Sequence, residues 1–467
     1  MVRLDINNSV SQITGLDREM FGRLRMAVCY FDHAKFRRCG QDWLCRTWLI
    51  ETDGAFLTGL LPYIKDFFKK NYPNYPIEIH DHRVKVEKYI DYECAIEEPP
   101  LYEDQEAALE ACMKYHKGVL SIPTGVGKTR TFKELIILKG VRTFVMTPNL
   151  NLKTQAYNYL KLCFPEHTSL YKKSKDPTNI VVSNYQSVSG IPKEYLQAFD
   201  MIITDEFHHS SAETIRKVEK EKLNSIYYRY AFTATNYRNG GDDILLHSVM
   251  SNTIFHLSLV EAVNKKYIVP VKGIFFVLKN DHLEEITSAV YKGKKASASI
   301  LYSLNYDRFI TDNEVRNKKA IELAKVFAKN NTPTLILVSR VQHGLKLLEE
   351  LGDCARFANS TTQKQTVNFE LIDQFNEGKF PVLIGTSVIG EGIDTKRCEV
   401  VINLSAGKAK SELLQKVGRA IRRFEGKTVG FYIDFIDEGC NTLRKHSIRR
   451  KNIIKSEYGI NPTLIDV

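Results

Sequence analysis

The sequence has 467 residues, which is too long for one ordinary domain and predicts about three domains. Apolar residues make up 43% and charged residues 26% of the chain, a composition typical of a globular protein with an ample core. The formal net charge of +11 indicates a polyanionic partner without identifying it. No apolar run approaches the roughly 20 residues of a membrane span, and the first residues lack the apolar segment of a secretory signal. We therefore expect no membrane association and a cytoplasmic protein, in the host cytoplasm if it is viral.

The nine cysteines are scattered along the chain and odd in number. Cys39 and Cys45 are the closest pair, and they lack the short spacing of a zinc knuckle. This pattern predicts reduced thiols and no structural metal.

A first block, residues 1–95, has strand patterns in "AVCYFD" and "WLCRTWLIE", a helical pattern in "GLLPYIKDFFKKN", and a strand pattern in "YPIEIHDHRV". The stretch "EEPPLYEDQ", with Pro99 and Pro100, is typical of a linker. The block is predicted to be a small α+β N-terminal accessory domain.

Short apolar runs alternate with helical patterns in the two later blocks. In residues 96–258 the runs are "GVLSI", "RTFVMTP", "NIVVSN", "DMIITDE" and "YYRYAFTAT". Residues 259–318 are lysine-rich and are predicted to connect two domains. The alternation resumes over 319–467 with "TPTLILVSR", "FPVLIGTS", "CEVVINLS" and "VGFYIDF". Such alternation predicts two α/β domains in tandem, each with a parallel sheet.

The stretch "SIPTGVGKTRTF" places glycines between an apolar strand and a helical segment. Free backbone N–H groups and the helix dipole at such a turn attract phosphate. Lys128 would reach the β- and γ-phosphates of ATP, and the Thr129 hydroxyl would bind Mg²⁺. The rest of the predicted cradle is Thr124, Gly125, Val126 and Gly127. The alternative is an ordinary strand-to-helix turn with a surface lysine.

"MIITDEFHH" places Asp205 and Glu206 directly after another apolar strand. Ligands of parallel sheets bind beyond the carboxyl ends of the strands, so this pair is expected beside the phosphate turn. Asp205 suits a Mg²⁺ ligand, and Glu206 suits the polarisation of an attacking water. An acidic pair in a solvated loop is the alternative.

"LLQKVGRAIRR" places Gln415, Arg419 and Arg422 on one helix face, since they are four and three residues apart. A basic solvated face is the alternative, but arginines from a second domain are also suited to stabilise a transferring phosphoryl group. "GTSVIGEGIDT" adds a glycine-rich strand exit in which Gly392 and Asp394 are candidates for contact with ATP.

Together these motifs resemble those of the superfamily 2 helicases, in the family's order, over about residues 101–435. They are "LYEDQ", "SIPTGVGKT", "TPNLNLKTQ", "SNYQS", "DEFHH", "FTATNYR", "ILVSR", "GTSVIGEGID" and "QKVGRAIRR". The chain departs from the family pattern at Ile122, which replaces a glycine, and at Phe207, which replaces an alanine. The resemblance implies that the two α/β domains are RecA-like.

The resemblance also implies roles for individual residues. Gln105 would read the adenine, and Arg419 and Arg422 would sense the γ-phosphate. Residues that would couple the ATP site to nucleic acid are His208, Thr233, Thr235 and Gln415. Residues that would contact the nucleic-acid backbone are Pro148, Ser183, Asn184, Arg340 and Thr386.

Within the superfamily, "DEFHH" and "TGLLPYIKDFF" resemble the phage UvsW and XPB-like branch of DNA helicases. This resemblance implies an ATP-dependent helicase or translocase that remodels branched or forked DNA in recombination, repair or replication. We expect a monomer. Arg37 and Arg38, in "FRRCGQDW", are candidate DNA contacts of the accessory domain. Two alternatives stay open, an RNA-stimulated ATPase and an ATP-regulated nucleic-acid clamp with little turnover. The basic segment 444–455 fits a solvated helix face or an extra phosphate contact equally well.

Overall fold

A computed structural model describes residues 1–173, 175–207, 212–234, 243–291, 294–359, 365–386 and 395–467. The chain forms two compact units. The first consists of Met1–Pro123 with Gly127–Leu257, and the second of Thr124–Val126 with Ser258–Val467. Within the described ranges, no helix combines the length and the apolar composition that crossing a membrane requires.

The N-terminal part of the first unit is a small mixed sheet with three helices. Its strands are β1 (Val2–Ile6), β2 (Val10–Thr14), β5 (Ala55–Leu57) and β6 (Ile77–Asp81), in the order β5-β2-β1-β6. A separate hairpin is formed by β3 (Cys29–Phe31) and β4 (Arg46–Trp48). The helices are α1 (Arg18–Ala27), α2 (His33–Cys39) and α3 (Leu61–Asn71), with 3₁₀ turns at Asp42–Cys45 and Thr58–Leu60. The α+β character predicted for this block is confirmed.

The first parallel sheet has seven strands in the order β13-β7-β12-β11-β8-β10-β9. They are β7 (Lys117–Ser121), β8 (Thr143–Thr147), β9 (Thr168–Leu170), β10 (Ile180–Asn184), β11 (Met201–Asp205), β12 (Tyr228–Thr233) and β13 (Thr253–His256). Its helices are α4 (Glu103–Lys114), α5 (Lys128–Lys139), α6 (Leu150–Cys163), α7 (Tyr185–Val188), α8 (Lys193–Leu196), α9 (Ala212–Lys222) and α10 (Asp243–Met250). Its central strands are buried along their whole length, as near-continuous apolar runs predict.

The second unit contains another seven-stranded parallel sheet, in the order β18-β19-β17-β20-β21-β14-β22. Its strands are β14 (Val271–Leu278), β17 (Thr334–Leu337), β18 (Ala355–Ala358), β19 (Val382–Gly385), β20 (Val400–Asn403), β21 (Gly430–Asp437) and β22 (Thr463–Asp466). A small hairpin is formed by β15 (Val290–Tyr291) and β16 (Lys294–Lys295). Strand β14 comes from the segment predicted to be a connection. The prediction of two tandem RecA-like α/β domains is confirmed.

In the described residues of the second unit, seven helices accompany the sheet. They are α11 (Leu259–Asn264), α12 (Ala298–Tyr306), α13 (Glu314–Lys329), α14 (Val341–Leu351), α15 (Gln365–Asn376), α16 (Lys410–Ala420) and α17 (Asn441–Tyr458). A short π-helix covers Asp307–Thr311, and a 3₁₀ turn covers Gly352–Cys354.

The N-terminal sheet is joined to the first parallel sheet by a buried polar network. The carbonyl of Asn8 accepts hydrogen bonds from Lys117 on β7, at 3.2 Å, and from Arg229 on β12. The hydroxyl of Ser9 donates to the Glu219 carboxylate at 3.0 Å, and the same carboxylate pairs with Arg229. All of these charged side chains are buried, so the contact is part of the core of the first unit.

Cys39 is the last residue of α2, and Cys45 is the last residue of the 3₁₀ turn that follows. Their sulfurs lie 3.3 Å apart, and both are free thiols. Across the ranges given above, no cluster of three or more His, Cys, Asp or Glu side chains is arranged to hold a metal ion.

Candidate nucleotide and nucleic-acid site

The predicted phosphate turn lies between strand β7 and helix α5. Helix α5 starts at Lys128, and Gly127 is its N-cap residue with φ 95°. Gly125 has φ 94°, so both glycines occupy a left-handed conformation that other residues rarely adopt. The first N–H groups of α5 have no partner within the helix and are available for phosphate oxygens. The turn therefore has the geometry of an anion cradle.

Sheet order brings the acidic pair to the same edge as this turn. Strands β7 and β11 both flank β12, and all three are parallel. The residues that follow β7 and β11 consequently emerge at one edge, separated by a single strand. There Lys128 Nζ lies 2.9 Å from Glu206 Oε1, and both side chains are about nine-tenths buried. The predicted proximity of Lys128 and Glu206 is observed directly.

Asp205 is the last residue of β11, and it is buried. Its carboxylate accepts the Glu206 N–H at 3.0 Å, and its carbonyl accepts the Tyr185 hydroxyl. Burial, and then the negative charge of Glu206, raise the pKa of Asp205 to about 7. Glu206 itself has φ 45°, a strained conformation that is often found at functional sites. The role of Tyr185 was missed, although its place after "SN" in the "SNYQS" motif was a usable signal.

These carboxylates fit a divalent cation. Two adjacent buried carboxyl groups are difficult to ionise at the same time, because each negative charge repels the other. A bound cation would stabilise the state in which both are ionised. Oxygen donors of this kind are the ligands that Mg²⁺ prefers. Thr129, one residue after Lys128, would add a hydroxyl, as the sequence predicts.

Gln105, the predicted adenine contact, is held at the start of helix α4. Its carbonyl oxygen accepts the Tyr102 N–H at 2.9 Å, which forms a capping box. Its amide nitrogen lies 3.5 Å from the carbonyl of Gly127. A Cβ atom at Gly127 would approach that nitrogen to 2.7 Å. Gln105 therefore lies against the phosphate turn, where the resemblance places the nucleotide.

Strand β12 ends at Thr233 between the phosphate turn and the acidic pair. Thr233 is buried, and its carbonyl accepts the N–H of Ile122 at 2.9 Å. This position suits the predicted coupling role, because a displacement at the turn would reach it through one hydrogen bond. His208, Thr235, Gly392 and Asp394 lie outside the described residues.

The predicted nucleic-acid contacts of the first unit share the same edge. Strands β8 and β10 are neighbours, with Thr147 opposite Asn184. Pro148 follows β8, and its carbonyl accepts the Gln186 amide at 3.1 Å. Asn184 caps helix α7 through its side chain, and it remains partly exposed. Ser183 is buried. The two strand ends thus place these residues together.

The second unit repeats this arrangement at the ends of β17 and β19, which are neighbours. Arg340 is about half exposed, lies 3.2 Å from Asp307, and donates to the Ser303 hydroxyl at 2.8 Å. Its guanidinium also lies over the Tyr306 ring, 5.3 Å from the centroid. Thr386 follows β19 and is buried, and its hydroxyl has no hydrogen-bond partner among the described residues.

Helix α16 carries Gln415 and Arg419, and Arg422 follows one turn later. Gln415 and Arg419 are buried, whereas Arg422 is partly exposed. A purely solvated basic face, the alternative reading of this motif, does not fit buried residues. Arg37 and Arg38 lie in helix α2, but their side chains are outside the described part of the chain.

Comparison with known families and proteins agrees with this geometry. Residues 98–238 match the family described as Type III restriction enzyme, res subunit, and residues 317–424 match the Helicase conserved C-terminal domain.

Three relatives are similar over about three quarters of the chain. A protein of Sulfolobus islandicus filamentous virus, provisionally named helicase 22, is 28% identical over 73% of this chain and 64% of its own length. The DNA 3′-5′ translocase XPB2 of Sulfurisphaera tokodaii is 23% identical over 74% of this chain and 84% of its own length. The ATP-dependent DNA helicase uvsW of Enterobacteria phage T4 is 23% identical over 75% of this chain and 72% of its own length. The match thus spans just under two thirds of the viral relative.

A solved structure has a similar fold. Dbp5 of Saccharomyces cerevisiae, bound to RNA and ADP BeF3, has a TM-score of 0.57 and 17% identity over 78% of this chain and 90% of its own. The two matched families, the relatives and the ordered motifs together show that the chain belongs to the superfamily 2 helicases, which are ATP-dependent enzymes.

Proposed function

We propose that this protein is an ATP-driven DNA translocase that remodels branched DNA. The observation that carries the proposal is the buried Lys128–Glu206 pair, which lies beside the phosphate turn and next to Asp205. The relatives named for DNA translocation and DNA helicase activity support DNA as the partner. The net charge of +11 supports a polyanion of either kind.

The residues of the first unit have separable roles in ATP hydrolysis. Lys128 supplies positive charge to the phosphate oxygens, and the N–H groups at the start of α5 hold them in place. Glu206 accepts a proton from the attacking water or orients it. Before nucleotide binds, the ion pair holds both side chains at the phosphate turn, and phosphate oxygens would take the place of Glu206 as partners of Lys128.

Mg²⁺ would be held by Asp205 and Thr129. When bound, it would neutralise charge on the phosphates and position them for in-line attack. Asp205 must be ionised for this role, and burial opposes ionisation. With its pKa raised to about 7, Asp205 is partly protonated near neutral pH, and a bound cation would favour its ionised form.

Arg419 and Arg422 of the second unit are proposed to contact the transferring phosphoryl group. A guanidinium placed there stabilises charge that develops in the transition state, so hydrolysis would depend on both units. Thr233, which is bonded through its carbonyl to Ile122 next to the turn, is the proposed link to nucleic acid.

Each unit is proposed to bind the DNA backbone through residues at the carboxyl ends of its β-strands. Pro148 and Asn184 would contact phosphates in the first unit, and Arg340 and Thr386 in the second. Such contacts position a strand without reading its sequence. If the two units bind the DNA strand tightly in turn during each ATP cycle, the strand would move along the protein.

The preference for branched DNA is proposed to come from the segment that consists of α2 and the following 3₁₀ turn, Asp42–Cys45. This segment carries Arg37, Arg38 and Lys35, and it exposes Trp43, whose side chain is 71% exposed. An exposed tryptophan can stack on an unpaired base at a junction, and cationic residues close to it in the sequence suit contact with phosphates.

The test is a phosphate-release assay with linear duplex, forked DNA, four-way DNA and RNA of matched length. Forked and four-way DNA should stimulate hydrolysis more than linear duplex, and RNA should stimulate it least. Lys128→Ala provides the zero-rate control. Greater stimulation by RNA would favour the RNA-dependent alternative, and negligible turnover on every substrate would favour the clamp.

The junction preference is tested by point substitution and not by truncation. Removal of the first 96 residues would uncover Arg229 and Glu219, which are buried against Asn8 and Ser9. Trp43→Ala with Arg37→Ala and Arg38→Ala should erase the advantage of forked over linear DNA while leaving stimulation by linear duplex measurable. An unchanged preference in this variant would place junction recognition elsewhere.

A further inference from the structure

Helix α17 packs on the second sheet through one face. Its buried residues are Leu443, Ser447, Arg450, Ile454 and Tyr458. Arg450 forms two hydrogen bonds with Asp434 on β21, at 2.7 and 2.8 Å. This ion pair fixes the rotation of the helix about its own axis, so the opposite face is presented outward.

The outward face is strongly cationic. At 3.6 residues per turn, its five cations fall within about half of the helix circumference, and they are Arg444, Lys445, Arg449, Lys451 and Lys455. The sequence of this helix contains one acidic residue, Glu457, which lies outside that half and pairs with Lys410 at 2.7 Å. In the described part of the chain, Lys445, Lys451 and Lys455 have no ion-pair partner. We call these five cations the basic face of α17.

Burial and nearby cations, among them Arg449 of the basic face, act on His446 of the same helix. Burial lowers the pKa of His446 to about 4, with further lowering by Lys408, Arg450 and Arg449. The Arg444 guanidinium has a carboxylate, Glu438, at 3.7 Å, which is too distant for a strong pair. A local excess of positive charge therefore surrounds the start of α17.

Helix α12 contacts both Arg340 and the start of α17. Its Ser303 and Tyr306 hold the Arg340 guanidinium. One turn earlier on the same face of α12, the Tyr302 ring lies 5.7 Å from the His446 ring of α17. Arg340 and the start of α17 thus contact one short helix within the second unit. A polyanion held at Arg340 would have the start of α17 as its next cationic surface.

We propose that the basic face of α17 is a second binding surface for the nucleic-acid phosphate backbone, continuous with Arg340. The five cations lie within the twelve residues Arg444 to Lys455, or about 16 Å along the helix axis. That length faces several successive phosphates of a single strand. With this extension, the second unit would hold a longer stretch of the nucleic-acid strand than the residues at the ends of β17 and β19 can contact. The inference rests on the proposed function, because it assumes that Arg340 contacts nucleic acid.

The chemistry of the face favours nucleic acid over a membrane surface. An interfacial helix needs a large apolar face toward the lipid, but the apolar side chains here, Ile448 and Ile453, are half-buried between cations. The groove along this face, ≈ 520 Å³ in volume, is also lined by the polar side chains of Asn452 and Ser456. Amide and hydroxyl groups among cations suit phosphate and sugar contacts.

The experiment compares two triple variants of the full chain. The test variant is Lys445→Gln with Lys451→Gln and Lys455→Gln. The matched control removes three exposed lysines from helix α13 of the same unit, as Lys318→Gln, Lys325→Gln and Lys329→Gln. Binding of fluorescent single-stranded DNA is measured by anisotropy between 50 and 300 mM salt. Thermal unfolding of both variants verifies that they fold.

The test variant should lower the slope of log affinity against log salt by about 2, because each lost single-strand phosphate contact contributes about 0.7. Its affinity near 0.1 M salt should fall on the order of 10²-fold. The control variant should keep nearly the wild-type slope. Equal slopes in the two variants would overturn the inference. Loss of binding to phosphatidylserine vesicles with an unchanged DNA slope would also overturn it, in favour of a lipid surface. Failure of the wild type to bind DNA would instead refute the proposed function.

Discussion

The buried network around Glu219 leads to a specific stability prediction for Glu219→Gln. The carboxylate accepts the Ser9 hydroxyl at 3.0 Å, pairs with Arg229, and lies 3.9 Å from the Lys117 ammonium. Arg229 and Glu219 are almost completely buried, and Lys117 has a side chain that is 4% exposed. The substitution removes the negative charge and leaves the Arg229 guanidinium buried with neutral acceptors only; burial, and then Arg229, already hold the pKa of Lys117 well below its usual range.

The expected loss follows from the cost of leaving buried charge unpaired. Removing one partner of a buried ion pair costs about 3–5 kcal/mol. Glutamine can still accept the Ser9 hydrogen bond, and the Asn8 carbonyl still accepts from Lys117 and Arg229, which favours the lower end of that range. For a unit of this size, about 3 kcal/mol corresponds to a melting point lowered by roughly 6–12 °C.

The assay is calorimetry of the full chain, with Glu221→Gln as the matched control. Glu221 is on the same stretch but is exposed, so its substitution should change the stability by less than about 0.5 kcal/mol. The first unfolding transition should move down in Glu219→Gln and stay in place in the control. A melting point shared by the two variants would refute the idea that this network joins the N-terminal layer to the first sheet.

Three further predictions concern the ATP site and pH. Lys128→Ala should abolish ATP hydrolysis while leaving the fold and DNA binding largely intact, and near-normal phosphate release from a folded variant would contradict the assignment of the turn. Arg422→Ala should lower kcat by about 10³ with little change in ATP affinity, because the guanidinium acts mainly in the transition state; a parallel loss of affinity would make it a ground-state ligand. Burial, and then Arg316, lower the pKa of His343 from 6.5 to about 3, so below pH 6.5 the unfolded chain takes up a proton that the folded chain does not. The contribution of His343 to stability should therefore fall by about 1.4 kcal/mol per pH unit below 6.5, or about 2 kcal/mol at pH 5, and urea titrations of His343→Gln at pH 7 and pH 5 should lack this part of the loss.

The strands that carry the motifs were predictable because buried parallel strands are nearly continuous apolar runs. Strand β11, for example, ends at Asp205, where the apolar run of "MIITDE" ends. The edge on which the site lies also followed from a general rule for parallel sheets. The pairing of Lys128 with Glu206 could not be predicted without the order of strands in the sheet, because β12 lies between β7 and β11 and is later in the chain than both.

Other features have no local signal. Strand β14 pairs with β21, whose residues are about 160 positions later, and the lysines around it obscured its apolar run. The N-terminal strands β1 and β2 are five residues each, too short for their alternation to stand out. The network of Asn8, Ser9 and Arg229 joins backbone and side chains from distant segments, and single polar residues do not indicate their partners. The domain boundaries proposed from composition stay predictions.

The same network sets an order of events during synthesis. Strands β1, β2, β5 and β6 lie within the first 81 residues and can pair with one another early. Ser9 and Asn8, however, meet partners that lie 210 and 221 residues later in the chain. At about 5–20 residues per second, the ribosome needs roughly 10–45 s to supply them. Leu57 and Val10, which pack into the core of the first parallel sheet, stay uncovered through that interval. The part of the protein that is made first therefore exposes this apolar surface until residues near Arg229 have been made, which makes it a substrate for chaperones on the nascent chain.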